Sequence, residues 1–145
     1  MRLEIEQRLG VLKKLPIWAA GCAANMLWLQ IGERRVVPAW GGGTKEVGTY
    51  ALHIDCPWSW SLNGKQIVSH AGHLDDLNAR LGLPAVCVGI HAQDNGSFQI
   101  ELDNNGIFTV RVESDFDQEV REFWRLFEPS SNAEHFVVGA GGIVR

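Results

Sequence analysis

At 145 residues, 46% apolar and 21% charged, the chain has the size and composition of one soluble globular domain, and a single domain over 1–145 is expected. A net charge of −4 argues against sequence-independent nucleic-acid binding, which draws its energy from phosphate counterions displaced by Lys and Arg, and mildly favours a cationic partner. No stretch nears the ~18 consecutive apolar residues of a membrane span. The N-terminus mixes acids and bases among its apolar positions, unlike a secretory leader, so a cytoplasmic protein is expected.

Ile5, Leu9 and Leu12 fall at helical spacing and predict a short N-terminal helix ending before Pro16. "IWAAGCA" and "NMLWLQIG" then read as apolar strands, followed by "RRVVPAW", with "GGGTKEVG" as a flexible glycine-rich loop.

The stretch "YALHIDCPWSW" places a histidine, an aspartate, a cysteine and two tryptophans close together. Tyr50, Leu52, Ile54, Cys56, Trp58, Trp60 and Leu62 occupy even positions, while His53, Asp55, Ser59 and Ser61 occupy odd ones. Successive strand residues point to opposite faces, so the pattern is that of a half-buried strand. Thirteen residues would extend about 43 Å at ~3.3 Å each, too long for one straight strand here. Pro57 cannot donate to a ladder and marks an edge or bulge. Asn63-Gly64 suits a type I′ turn, which would set Trp60 opposite Ile67.

Leu74, Leu77 and Leu81, ahead of Gly82 and Pro84, predict another short helix. "AVCVGIHA" is apolar enough for a central strand. "SFQIELDNNGIFTVRVE" alternates in both arms; a three-residue loop Asn104-Asn105-Gly106, with Gly106 left-handed, keeps Phe98, Ile100, Leu102, Phe108 and Val110 on one face. "DFDQEVREFWRLFEP" fits a helical turn near Asp117–Arg121 and then a strand, paired across a Pro-Ser-Ser-Asn turn with "EHFVVGAGGIV". Each half carries an alternating hairpin, a tryptophan-bearing strand and an apolar return. The expected fold is therefore α+β: mainly antiparallel hairpins in two packed halves, readable as a pseudo-repeat, with a few short helices.

His53 and Cys56 invite a nucleophile–base reading, but residues three apart on a strand face opposite sides. Cys22, Cys56 and Cys87 lie far apart without a CxxC pair, which points to reduced, buried thiols rather than a disulfide framework or zinc ribbon. His53 and Asp55 share the outer face and form a candidate binding patch or acid–base pair, against the plainer reading of a solvated face. "SHAGHLDD" gathers His70, His73, Asp75 and Asp76, but capping of the coming helix explains its acids as well as a metal does; no cofactor and no metal are expected. Glu101 and Asp103, with Thr109 and Arg111 on the polar face of the second hairpin, extend toward Glu113, Asp115, Asp117 and Glu119. They read as a soluble face that blunts edge pairing, or as a docking patch for a basic partner. Of the six tryptophans, Trp28, Trp58, Trp60 and Trp124 have core-like phases, while Trp18 and Trp40 are candidate interface anchors. The glycine clusters at 41–43 and 139–142 lack the strand–GxGxxG–helix context of a phosphate loop.

"NMLWLQIG", "EVGTYALHIDCPWSW" and "FWRLFEP…EHFVVGAGGI" together resemble a family of small uncharacterised bacterial proteins with a "WALHxxCPWR"-like segment and an "ExWRLF…HFVV" ending. The resemblance covers about residues 16–143 and departs at Ser59, where a basic residue is expected. It implies no established activity. Small stand-alone bacterial domains of this kind often serve as immunity or accessory proteins, a fold-level analogy. The leading expectation is a non-enzymatic protein-binding module, such as an immunity protein engaging a cationic, toxin-like partner. The alternatives are a small metal-dependent or hydrolytic enzyme using His53 and Asp55, and a homo-oligomeric structural or ligand-binding protein, as a homodimer for instance.

Overall fold

A computed structural model describes residues 1–113 and 121–145. Helix α1 (Arg2–Leu9) runs into a 3-10 turn over Gly10–Leu12. Ile5, Leu9 and Leu12, which set the predicted helical spacing, are fully buried. The strands that follow are β1 (Pro16–Ala23), β2 (Met26–Ile31), β3 (Arg35–Pro38), β4 (Thr44–Val47), β5 (Tyr50–Ile54), β6 (Trp58–Leu62) and β7 (Lys65–Ser69). A single helical turn, α2 (Leu77–Arg80), precedes β8 (Ala85–Ala92), β9 (Phe98–Leu102), β10 (Gly106–Val110), β11 (Glu122–Phe127), β12 (Phe136–Gly139) and β13 (Gly142–Val144). The α+β expectation gives way to a mainly β fold, because α1, the 3-10 turn and α2 are short and the antiparallel strands carry most of the structure. No described helix is long and apolar enough to cross a membrane.

Among the described residues, eleven strands hydrogen-bond in the order β13-β12-β11-β5-β2-β1-β8-β9-β10-β6-β7, and β3 and β4 pair separately. At Pro57, where an edge or bulge is expected, the chain leaves one part of the sheet for another. The extended segment from Tyr50 to Leu62 is two strands: β5, between β2 and β11, and β6, between β10 and β7. At the crossover Asp55 N–H donates to the Phe123 carbonyl at 2.8 Å, and the Pro57 carbonyl accepts from Arg111 N–H at 2.8 Å. The even residues Leu52, Ile54, Cys56, Trp58 and Trp60 point into the core, as their alternation predicts.

An aromatic chain runs through that core. Trp60 and Phe108 lie 5.0 Å apart, Phe108 and Phe98 6.3 Å, Phe98 and Trp124 4.8 Å, and Trp124 and Phe136 5.8 Å. Tilted and T-shaped pairs of this kind add roughly 0.5–1.5 kcal/mol each beyond their buried area. They tie β6, β10 and β9 to β11 and β12.

Four details depart from expectation. "GGGTKEVG" holds a strand, β4, so it forms a hairpin with β3 rather than a loop alone. Asn63 and Gly64 both adopt positive φ, as a type I′ turn requires, but a bulge at Ile67 puts Val68 opposite Trp60. The second hairpin closes over 103–105, one residue earlier than expected, with Asn105 in the left-handed region. Gly106 is needed for close approach instead: a Cβ there would lie 2.6 Å from Asn104 Oδ1. Trp28 is not in the core; Leu27, Leu29 and Ile31 fill it from the other face of β2. "FWRLF" is a strand, and the helical turn expected near 117–121 lies largely outside the described residues.

Candidate binding surface

His53 lies in a cross-strand row on the outer face of the sheet: Gly21, Trp28, His53, Arg125 and Val137 pair successively across β1, β2, β5, β11 and β12. Gly21 is small because Trp28 lies over it; a Cβ there would meet the indole at 2.2 Å. The His53 ring meets Phe127 edge-on at 4.7 Å, and Phe127 stacks on His135 at 4.4 Å. Arg125 Nη1 donates to His135 Nδ1 at 2.7 Å, which leaves the His135 proton on Nε2. Its Nε donates to Glu122 Oε2 at 2.7 Å, and its Nη2 pairs with the other Glu122 oxygen. Burial, then the Arg125 charge, pushes the His53 pKa down; Glu122 works against this and His135 with it. The Arg125 charge is thus already paired with a carboxylate, and His53 is held toward its neutral form.

Asp55 sits at the crossover, beyond the end of β5, with its carboxylate 3.9 Å from Arg121. It borders a crevice of about 280 Å³ that also includes Cys22, Cys56 and His70. Burial drives the Cys56 thiol up to about 12, and nearby Asp55 adds to this. His70 Nδ1 lies 3.2 Å from the Trp58 carbonyl, engaged with backbone. His73 pairs with Asp75 at 2.9 Å in the open. Among the described residues no group of three His, Cys, Asp or Glu side chains is arranged around a metal position.

The acids of the second hairpin are divided in their contacts. Glu101 meets His91 Nε2 at 2.6 Å on an exposed face. Asp103 accepts from Val86 N–H at 2.9 Å and so fastens the start of β8. Arg111 is exposed just beyond β10. Asp115, Asp117 and Glu119 lie outside the described residues.

Trp18 and Trp40 belong to one feature, an arm made of β3, β4 and the turn between them. Trp18, at a bulge in β1, lies half-buried under the Arg34 guanidinium, 4.4 Å from its ring centre, and fixes the root of the arm. The root is further held by Gly48 N–H donating to Gln30 Oε1 at 2.8 Å and by Arg35 Nη1 donating to Ser130 Oγ at 3.3 Å. Trp40, at the tip, is fully exposed, and so is much of Val36, at 69%. The turn needs its glycines, since Gly41, Gly42 and Gly43 all take positive φ. Residues 34–47 carry Arg34, Arg35 and Lys45 against Glu46 alone, in a chain of net charge −4. The arm escaped sequence reading because the triple glycine hides a ribbon of only four residues per strand.

No family model matches the chain, and no curated protein or solved structure matches it.

Proposed function

We propose that this protein is a non-enzymatic protein-binding module of the immunity type, which docks on its partner through the β3–β4 arm. The observation that carries this reading is the complete exposure of Trp40 at the tip of a hairpin rooted by Trp18 and Arg34. An indole buries roughly 200 Å² on docking, worth about 5 kcal/mol at ~25 cal/mol/Å² before ordering costs, which is the scale of an interface anchor. The fitting partner surface is an apolar pocket rimmed by carboxylates, because residues 34–47 carry Arg34, Arg35 and Lys45 against Glu46 alone. A cationic partner would instead have to meet Glu101 and Asp103, already engaged by His91 and Val86. The eleven-stranded order is read as two packed halves joined where β1 meets β8, supported by the Phe98–Trp124 contact.

The enzyme alternative lacks a carrying observation, since His53 and Cys56 lie on opposite sides of the sheet and Asp55 faces Arg121. The test is binding and protection. The product of the adjacent gene is titrated with the wild type and with Trp40→Ala, and cells producing it are challenged with each. A loss of about 30-fold or more in affinity, with loss of protection, is expected for the variant. Equal affinity and equal protection overturn the reading.

A further inference from the structure

We infer that the edge of β3 that no described strand pairs joins β3 of a second copy, so that two arms form one four-stranded ribbon, β4-β3-β3-β4. This rests on the arm being the docking element and names its occupant in the free protein. A two-stranded ribbon in water is marginal until a further strand or a packed layer joins it. The edges of the larger sheet offer less. At β7 the Ile67 carbonyl accepts from Arg80 Nη2 at 3.2 Å, and β13, only three residues long, ends beside the Arg145–Glu4 ion pair.

The arm has two edges, and its hydrogen bonding says what each presents. Ala39 N–H donates to the Gly43 carbonyl at 3.0 Å, and Val37↔Lys45 and Arg35↔Val47 continue that register. Bonded and non-bonded pairs alternate along an antiparallel ladder. The backbone groups of Val36 and Pro38 on β3, and of Thr44 and Glu46 on β4, therefore point outward. Pro38 fits this geometry, because its missing N–H falls on the open side.

Two copies related by a two-fold axis pair residues of equal parity, because the axis preserves the face on which each side chain stands. On β4 the registers centred on Lys45 or Glu46 set like charges directly opposite, and one centred on Thr44 runs into the turn at Gly42 and Gly43, whose positive φ is not that of a strand. On β3 the register centred on Val36 opposes no like charges: Val36 meets Val36, Arg35 meets Val37 and Arg34 meets Pro38. The central valines exchange two hydrogen bonds, and each Pro38 carbonyl accepts an Arg34 N–H. Either register leaves the carbonyl opposite Pro38 without its donor, but centring on Val37 also forfeits the complete central pair of bonds, because the Val37 backbone groups are turned toward β4. The favoured register covers Val36, 69% exposed in one copy. It also brings each Trp40 level with residue 32 of the other copy, beside the Arg34–Trp18 stack at the root of its arm.

The experiment is sedimentation and light scattering on the full chain from micromolar concentration upward, for the wild type, Val36→Pro, Thr44→Pro and Val36→Lys. Val36→Pro removes an outward N–H and no bond within the arm; Thr44→Pro does the same on the opposite edge. A wild-type dimer is expected, kept by Thr44→Pro and weakened at least tenfold by Val36→Pro. Val36→Lys keeps the donor but opposes two cations, so its dimer should return at high salt. A wild type monomeric at every concentration, or dissociation by Thr44→Pro rather than Val36→Pro, overturns the inference. Neither result touches the partner titration with Trp40→Ala, which tests the docking role separately.

Discussion

His53 and Cys56, three residues apart, face opposite sides of the sheet: the imidazole stands over Phe127 on the outer face, and the thiol is buried in the core. They do not form a nucleophile and base. Burial drives both Cys56 and Cys87 up to about 12, whereas Cys22 is exposed and only partial burial raises it. In the native protein at pH 8, a disulfide reagent should therefore label Cys22 alone in the fast phase, with all three thiols reacting in denaturant. Peptide mapping after a short pulse checks this. Prompt labelling of Cys56 would show an accessible thiolate and restore the catalytic reading.

Faces were legible in the sequence; neighbours were not. Period-two alternation placed Leu52, Ile54, Trp58 and Trp60 inward because burial of one face is written locally. Register is lost wherever one extra residue enters a strand, as at Ile67, where the bulge moves Trp60 from Ile67 to Val68. Trp28 misled because Leu27, Trp28 and Leu29 are all apolar, so phase alone did not choose its face; the deciding feature is Gly21 on the neighbouring strand. The cluster of His53, Phe127, His135 and Arg125 depends on β11 lying beside β5, a pairing of distant segments that no local period encodes. Trp18 and Trp40 were legible as candidates, but the hairpin joining them was obscured by its glycines.

Trp124 N–H donates to the Gly96 carbonyl at 2.9 Å in the buried core, and its ring meets Phe98 at 4.8 Å. Trp124→Phe removes the donor and leaves both a gap and an unpaired carbonyl. A loss of about 2–4 kcal/mol is expected from urea unfolding. Trp40→Ala, at a fully exposed site, should change stability by no more than about 0.5 kcal/mol. Similar losses for the two variants would contradict the placement of these indoles.

Two glycines should respond to alanine with opposite signs. A Cβ on Gly48 would lie 2.4 Å from the Ile31 carbonyl oxygen and 2.6 Å from its nitrogen, both backbone atoms with little room to yield. Gly48→Ala should cost about 3 kcal/mol or more. Gly10 has φ −58 and ψ −23 at the end of α1, and nothing lies within 4 Å of its would-be Cβ. Gly10→Ala should stabilise by about 0.4–1 kcal/mol, through reduced freedom of the unfolded chain. Thermal melts of the two single variants decide the matter, and the same sign for both refutes the local geometry.

The His53 neighbourhood predicts an acid-sensitive component of stability. Burial first, then the Arg125 charge, lowers its folded-state pKa below the ordinary 6.5, with Glu122 acting against them. Between the folded and unfolded values the unfolded chain binds more protons, so stability rises with pH across that window. The contribution of neutral His53 is complete above about 6.5 and is lost as pH falls through the folded value. His53→Asn, which does not titrate, lacks this component. Urea midpoints measured from pH 7.5 down to pH 5 should therefore fall more for the wild type than for His53→Asn, since the other titrating groups are common to both. Parallel curves for the two proteins would show that His53 keeps an ordinary pKa and that the packing around Phe127 and Arg125 does not hold it neutral.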